Sequence, residues 1–210
     1  MKVEKLRVGQ LQSNCYLVWD PQTKEGVIID PADDADFILR RINDLEIKPL
    51  FILATHGHFD HVMAVGELKL DLQIPFLISK KDLFLIKRTV PTASFFTGER
   101  GVLTPKIDRF LKEGEEIIFG GEKQLKVIFT PGHSPGGVAF FGRGVLFSGD
   151  TLFAQSVGRT DLSYSSHQDL LDSIKNKLFK LPDETIVYPG HGEETTIGEE
   201  KENFNSAEIS

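Results

Sequence analysis

Polar and apolar residues alternate over Val3–Val8, the pattern of a half-buried strand, and Cys15–Trp19 follows as an apolar run after a turn at Ser13-Asn14. Gly26-Val27-Ile28-Ile29-Asp30 is a third short run, closed by Pro31. The period then lengthens. Phe37, Ile38, Ile42 and Leu45 share one helical face behind Asp33 or Asp34, either of which suits an N-cap, so a helix is predicted to about Asn43. Pro49–Ala54 predicts a strand that delivers Thr55-His56 directly into a polar loop. Val62, Val65, Leu68 and Leu72 predict a second helix, and Phe76–Ser79 a further strand.

The stretch from Lys81 to Glu113 is the least regular. A helical start at Leu83, Phe84 and Ile86 runs into Pro91-Thr92-Ala93-Ser94-Phe95-Phe96-Thr97-Gly98, read as a surface loop with an aromatic tip. Beyond it, strands are predicted at Leu125–Phe129, Val138–Phe141, Val145–Phe147 and Thr185–Tyr188, with a helix from about Gln168 to Lys180. A short helix around Glu199–Asn205 closes the chain. Ile52-Leu53-Ala54-Thr55-His56-Gly57-His58 parallels Val127-Ile128-Phe129-Thr130-Pro131-Gly132-His133, hinting at two similar halves. Strands followed by helices suit two packed sheets with helices outside and the connecting loops gathered along one edge.

Composition narrows the classes. A chain of 210 residues suits one buried domain, and 16 phenylalanines against three tyrosines and one tryptophan favour an apolar core over a stacking surface. A net charge of −7 without a basic stripe argues against nucleic-acid binding. Met1–Gln10 already alternates like a strand and lacks the apolar centre of a secretory leader, and no apolar run nears the ~18 residues of a membrane span. The expectation is a cytoplasmic protein with neither membrane nor nucleic-acid partner. Cys15, the one cysteine, lies in an apolar run and is read as a buried core thiol.

Chemistry is concentrated in the histidines. Three of six fall within His56-Gly57-His58-Phe59-Asp60-His61, two end Pro-Gly-His tripeptides at His133 and His191, and Asp150 follows a buried run between those two. A chance His-x-His-x-Asp-His is improbable, on the order of one in a few thousand, so the motif is a strong metal signal. Alternate positions of an extended loop point the same way, so His56 and His58 can grip one ion while Asp60 and His61 turn toward a neighbour. His133 and His191 can each supply one further imidazole, and Asp150 a shared carboxylate. Seven ligands exceed one tetrahedral zinc and suit two divalent ions, Zn, Fe or Mn. Such a pair activates water near neutral pH and polarises a carbonyl, which points to hydrolysis, with Asp60 placed to aim the water. His167 reads as a helix N-terminal or surface residue, and Asp30 as either a turn residue or a hydrogen-bond partner behind the ligands.

Together these residues resemble the metallo-β-lactamase superfamily, from Gly26-Val27-Ile28-Ile29-Asp30-Pro31 to Pro189-Gly190-His191-Gly192. The resemblance implies an α/β, four-layer αββα sandwich of two mixed sheets with helices outside. It implies His56, His58 and His133 at a first metal position, Asp60, His61 and His191 at a second, and Asp150 as the bridge. Ser148-Gly149-Asp150-Thr151-Leu152-Phe153 with Val157-Gly158-Arg159-Thr160-Asp161 is similar to the glyoxalase II group, and closest to its short, prokaryotic-type relatives. That likeness implies a thioesterase acting on S-2-hydroxyacylglutathione such as S-D-lactoylglutathione, or on a related small thioester. Arg159 would then hold a substrate carboxylate. Residues 1–210 are expected to form one domain, without the separate helical glutathione-binding domain of full-length glyoxalase II. The alternative is a persulfide dioxygenase of the same fold, using one iron at the positions of His56, His133 and Asp150. β-Lactam hydrolysis is disfavoured, because that group typically has Cys rather than Asp at the second position.

Overall fold

The computed structural model describes residues 1–208. The alternating N-terminal third forms β1 (Lys2–Val8), β2 (Ser13–Trp19) and β3 (Glu25–Ile29), each antiparallel to the one before. After α1 (Ala35–Asp44) the chain returns as β4 (Lys48–Leu53), parallel to β3. Two short helices, α2 (Phe59–Val62) and α3 (Val65–Leu72), lead to β5 (Phe76–Ile78). Then come α4 (Leu83–Ile86), α5 (Thr89–Thr97) and β6 (Arg109–Phe110), which completes a six-stranded sheet in the order β1 to β6.

A second six-stranded sheet takes up β7 (Glu116–Phe119), β8 (Glu122–Phe129), β9 (Val138–Gly142) and β10 (Val145–Gly149). A small hairpin, β11 (Leu152–Phe153) with β12 (Ser156–Val157), precedes α6 (His167–Asn176). The sheet ends with β13 (Ile186–Pro189), parallel to β10, and β14 (Thr195–Thr196), and α7 (Ile197–Glu208) follows.

Side-chain alternation sorts the apolar residues into three packed clusters, and those clusters define four layers. Cys15, Leu17 and Ile28 face outward from the first sheet onto Ile38, Ile42 and Leu68 of α1 and α3. Tyr16, Val18, Val27 and Ile29, one residue along, face inward and meet Leu125, Val127, Phe140 and Phe147 of the second sheet. The second sheet's outer face, with Ala139, Leu146 and Val187, is covered by Leu170, Ile174 and Ile197 of α6 and α7. The period of two in a strand makes this possible: one register places half the apolar residues in each layer. The result is the αββα sandwich expected from the sequence.

The segment after α4 departs from expectation. Residues 91–98 were expected as a loop, yet Thr89–Thr97 is helical. Pro91 lies in the first turn, where its missing N–H costs nothing, and Gly98 ends the helix at φ 77° with its N–H on the Ser94 carbonyl. Burial of Ala93 and the stacking of Phe96 on Phe59 at 5.5 Å tie the helix to the histidine loop. No sequence period marks this, because Phe95 and Phe96 are largely exposed.

Cys15 is fully buried, and burial, followed by the nearby Asp30 charge, pushes its thiol well above the usual range. A thiol-reactive chromogen is therefore expected to leave the native protein unlabelled and to modify one thiol per chain once it unfolds. Rapid labelling of native protein would contradict the packing.

Among the described residues, no helix is long and apolar enough to cross a membrane.

Candidate metal centre

Five strands end along one edge, and each hands a polar side chain to the same place. β3 ends before Asp30, β4 before Thr55-His56, β8 before the loop to His133, β10 before Asp150, and β13 before Gly190-His191. The two sheets are laced together there. The Val138 N–H donates to the Thr55 carbonyl at 2.8 Å, and the Asn14 N–H to the Gly190 carbonyl at 2.7 Å. The Tyr16 hydroxyl donates to the Pro189 carbonyl at 2.6 Å, which fixes the approach to His191.

All seven sequence-predicted ligand residues converge. His56, His58 and His133 form one group whose donor atoms lie within 4.8 Å of one another, and Asp60, His61 and His191 form a second. Asp150 stands between the groups. Its Oδ1 lies 3.4 Å from His61 Nε2, and its Oδ2 lies 3.6 Å from His133 Nε2 and 3.8 Å from His191 Nε2. His58 Nδ1 and His133 Nε2 point at each other across 2.9 Å.

Outer partners set which nitrogen four of the imidazoles turn inward. The Arg159 carbonyl oxygen, which can only accept, lies 2.9 Å from His133 Nδ1, so Nδ1 carries the hydrogen and Nε2 faces the centre. Asp30 accepts from the Thr55 N–H at 2.7 Å, the Thr55 hydroxyl at 2.6 Å and His61 Nδ1 at 3.0 Å. Thr55 Oγ1, having given its hydrogen to Asp30, can only accept from His56 Nδ1 at 3.0 Å. The Tyr164 hydroxyl lies 2.7 Å from His58 Nε2 and so leaves Nδ1 turned inward. Asp30 belongs to a third ligand-like group with His56 and His61, but both its oxygens are taken up by these donors, which makes it an orienting carboxylate.

Three of the inward atoms lack partners. His56 Nε2, His61 Nε2 and Asp150 Oδ1 are buried without a hydrogen bond, a costly condition that a cation among them relieves. The His/Asp donor set, with no thiolate, fits Zn, Fe or Mn. Electrostatics suit the same role. Burial, then the neighbouring His133, brings His58 down to about 4, and burial holds His56 well below its ordinary value, so both imidazoles are neutral near pH 7. Burial alone would raise Asp150, but the neighbouring His61, 3.4 Å away, outweighs it and keeps the carboxylate ionised.

His61 and His191 behave oppositely. Burial would lower both, yet Asp150 and Asp30 raise His61 well above its ordinary value, and Asp60 with Asp150 raises His191. An imidazolium must lose its proton before it can bind a cation. Cation affinity of the metal-free protein is therefore expected to rise with pH through neutrality, with proton release on binding. Calorimetry in buffers of different ionisation enthalpy would measure it, and a binding heat independent of buffer would contradict it.

Arg159 lies at the rim. Its side chain is 65% exposed and makes a two-point ion pair with Asp161 at 2.6 and 2.7 Å. His167, the first residue of α6, stands outside the centre with its Nδ1 3.3 Å from the Thr160 hydroxyl. Sequence reasoning did not single out Thr55, Tyr164 or Asp82, a buried carboxylate behind the histidine loop. Only the fold brings Tyr164 and Asp82 to the ligands, and Thr55, which adjoins His56, shows its role only through Asp30.

Comparison with known proteins agrees with this geometry. The metallo-beta-lactamase superfamily matches residues 8–191. Hydroxyacylglutathione hydrolase GloC of Haemophilus influenzae is 37% identical over 210 residues, covering 96% of this chain and 95% of that protein. The crystal structure of the BLEG-1 B3 metallo-beta-lactamase superposes with a TM-score of 0.87 at 38% identity, covering 96% of this chain and 97% of that one. TTHA1623 in a di-iron-bound form superposes with a TM-score of 0.86 at 38% identity, covering 95% and 98%. With its ligand-bearing loops at the ends of two facing sheets, the chain belongs to the metallo-beta-lactamase superfamily.

Proposed function

We propose that this metal-dependent hydrolase is a glyoxalase II-like thioesterase, cleaving an S-2-hydroxyacylglutathione or a related small thioester, with the whole chain acting as one catalytic unit. The observation that carries the reading is the pair of ligand groups joined through Asp150. The likeness to GloC over nearly the full chain supports the choice of thioester.

In this reading His56, His58 and His133 would hold one cation and Asp60, His61 and His191 a second, with Asp150 placed to serve either group. When bound, divalent cations supply Lewis acidity, lowering the pKa of water to about 7 and polarising a carbonyl. The chain's own residues supply orientation. Asp60 lies 3.4 Å from His191 Nε2. Burial would raise its pKa, but His191 and His61 bring it below the ordinary value, so it stays ionised and can accept a hydrogen bond from the attacking water. Asp30, Thr55 and the Arg159 carbonyl keep the imidazoles from turning away. A thiolate leaves without needing a strong general acid. Arg159 is the residue we assign to a substrate carboxylate. Its pair with Asp161 is exposed and screened by solvent, so a substrate anion can replace Asp161 at little cost.

The test is turnover of S-D-lactoylglutathione beside a glutathione-free thioester, on protein of measured metal content. Preference for lactoylglutathione, and a higher KM with unchanged kcat in Arg159→Ala, are expected. Equal rates on both thioesters would remove glutathione from the reading. The likeness to BLEG-1 makes a chromogenic cephalosporin the natural control substrate, and oxygen consumption with a single bound iron would instead indicate a dioxygenase.

A further inference from the structure

The two ligand loops of the first group, 75 residues apart in sequence at His58 and His133, close on one buried carboxylate that is not itself a ligand. Asp82 ends a short 3-10 turn (Lys80–Asp82) ahead of α4 and is fully buried. Its Oδ2 accepts from the Gly57 N–H at 2.9 Å and the Ser134 hydroxyl at 2.7 Å, and its Oδ1 accepts from the Gly136 N–H at 2.7 Å. Gly57 sits between His56 and His58, and Ser134 directly follows His133.

The approach is too close for any side chain at the two glycines. A Cβ on Gly57 would lie 2.9 Å from Leu85 Cβ and 3.0 Å from Asp82 Cβ, and one on Gly136 would lie 2.6 Å from Asp82 Cγ. Burying a carboxylate without a cation is costly unless donors surround it, and here the donors come from the two loops it must hold. The second group is anchored elsewhere. His61 is held by Asp30, and the loop at His191 by Asn14 and Tyr16.

We propose that Asp82 is a positioning residue that locks the His56–His58 loop to the His133–Gly136 loop and sets the cation affinity of the His56/His58/His133 group alone. The proposal rests on reading the two groups as metal sites and is independent of the substrate. It also gives a reason for the glycine inside His56-Gly57-His58: for its N–H to reach Asp82 the loop comes too close to Asp82 and Leu85 to carry a Cβ.

The test titrates metal-free protein with Co(II), whose absorption reports imidazole coordination. In a His191→Ala background only the first group is intact, and in a His133→Ala background only the second. Adding Asp82→Asn is expected to weaken Co(II) binding about 10–100-fold in the first background and to leave it within about threefold in the second, the scale typical of groups that orient metal ligands. Unchanged affinity in the first background overturns the proposal. Equal losses in both overturn it too, because they would show a general structural role. Should Asp82→Asn fail to fold, Ser134→Ala decides: it removes one of the three donors and leaves the charge buried. A several-fold loss confined to the first group supports the lock, and no loss refutes it. Because the readout is cation binding, a failed thioesterase assignment would leave the result unaffected.

Discussion

Asp150→Ala is expected to lower kcat/KM by about three orders of magnitude or more, since a metal centre contributes several kcal/mol to a hydrolytic barrier. The carboxylate lies between the two ligand groups, 3.4 Å from His61 and 3.6 Å from His133 through its separate oxygens. Without it, each group loses a shared donor, and His61 loses the charge that most raises its pKa. The four-layer packing does not depend on this side chain, so the far-ultraviolet dichroism should match the parent. Asp150→Asn keeps the shape and one acceptor oxygen but not the charge, and should fall between parent and alanine variant. Activity within tenfold of the parent in Asp150→Ala would show that the two groups do not act through a common carboxylate.

The second large effect comes from a single methyl group. Gly190→Ala would place a Cβ 2.1 Å from Asp150 Oδ1 and 2.7 Å from His61 Cε1. The backbone cannot retreat, because the Gly190 N–H donates to the Gly149 carbonyl at 2.9 Å and its carbonyl accepts from Asn14. Either Asp150 or His61 must move, and displacements near 1 Å in a catalytic site cost about 100-fold. A fall in kcat/KM of at least about that size, with a second cation lost, is expected. Gly192→Ala is the control two residues away. Nothing lies within 4 Å of its Cβ position, and its φ of 77° makes the substitution a backbone strain of about 1–2 kcal/mol, felt in stability and hardly in rate. Near-parent activity in Gly190→Ala would contradict the geometry.

These two glycines show how far the sequence could be read. Pro189-Gly190-His191 marks a turn that ends in a ligand, and the histidine motif with Asp150 is legible because metal chemistry permits few residue types. The strands β3 and β4 were legible as short apolar runs, because the first sheet is covered on both faces. What lay beyond reading depends on contacts distant in sequence. Asp82 is one acid in a charged stretch (Lys80-Lys81-Asp82) until folding brings Gly57 and Gly136 against it from 25 and 54 residues away. Asp30 could be a turn residue or a partner of the ligands, and only its bond to His61 separates the two. The helix at Thr89–Thr97 was missed because its stabilising contact, Phe96 on Phe59, is tertiary while its exposed face is apolar. Tyr164 lies 106 residues from His58 in sequence, and only the fold brings its hydroxyl to that imidazole.

Anomalous diffraction from metal-loaded crystals addresses the shared premise most directly. Two peaks are predicted, one among the side chains of residues 56, 58 and 133 and one among those of residues 60, 61 and 191, with residue 150 touching each. A lone peak at full occupancy, or cations seated away from the carboxylate of residue 150, would contradict the account.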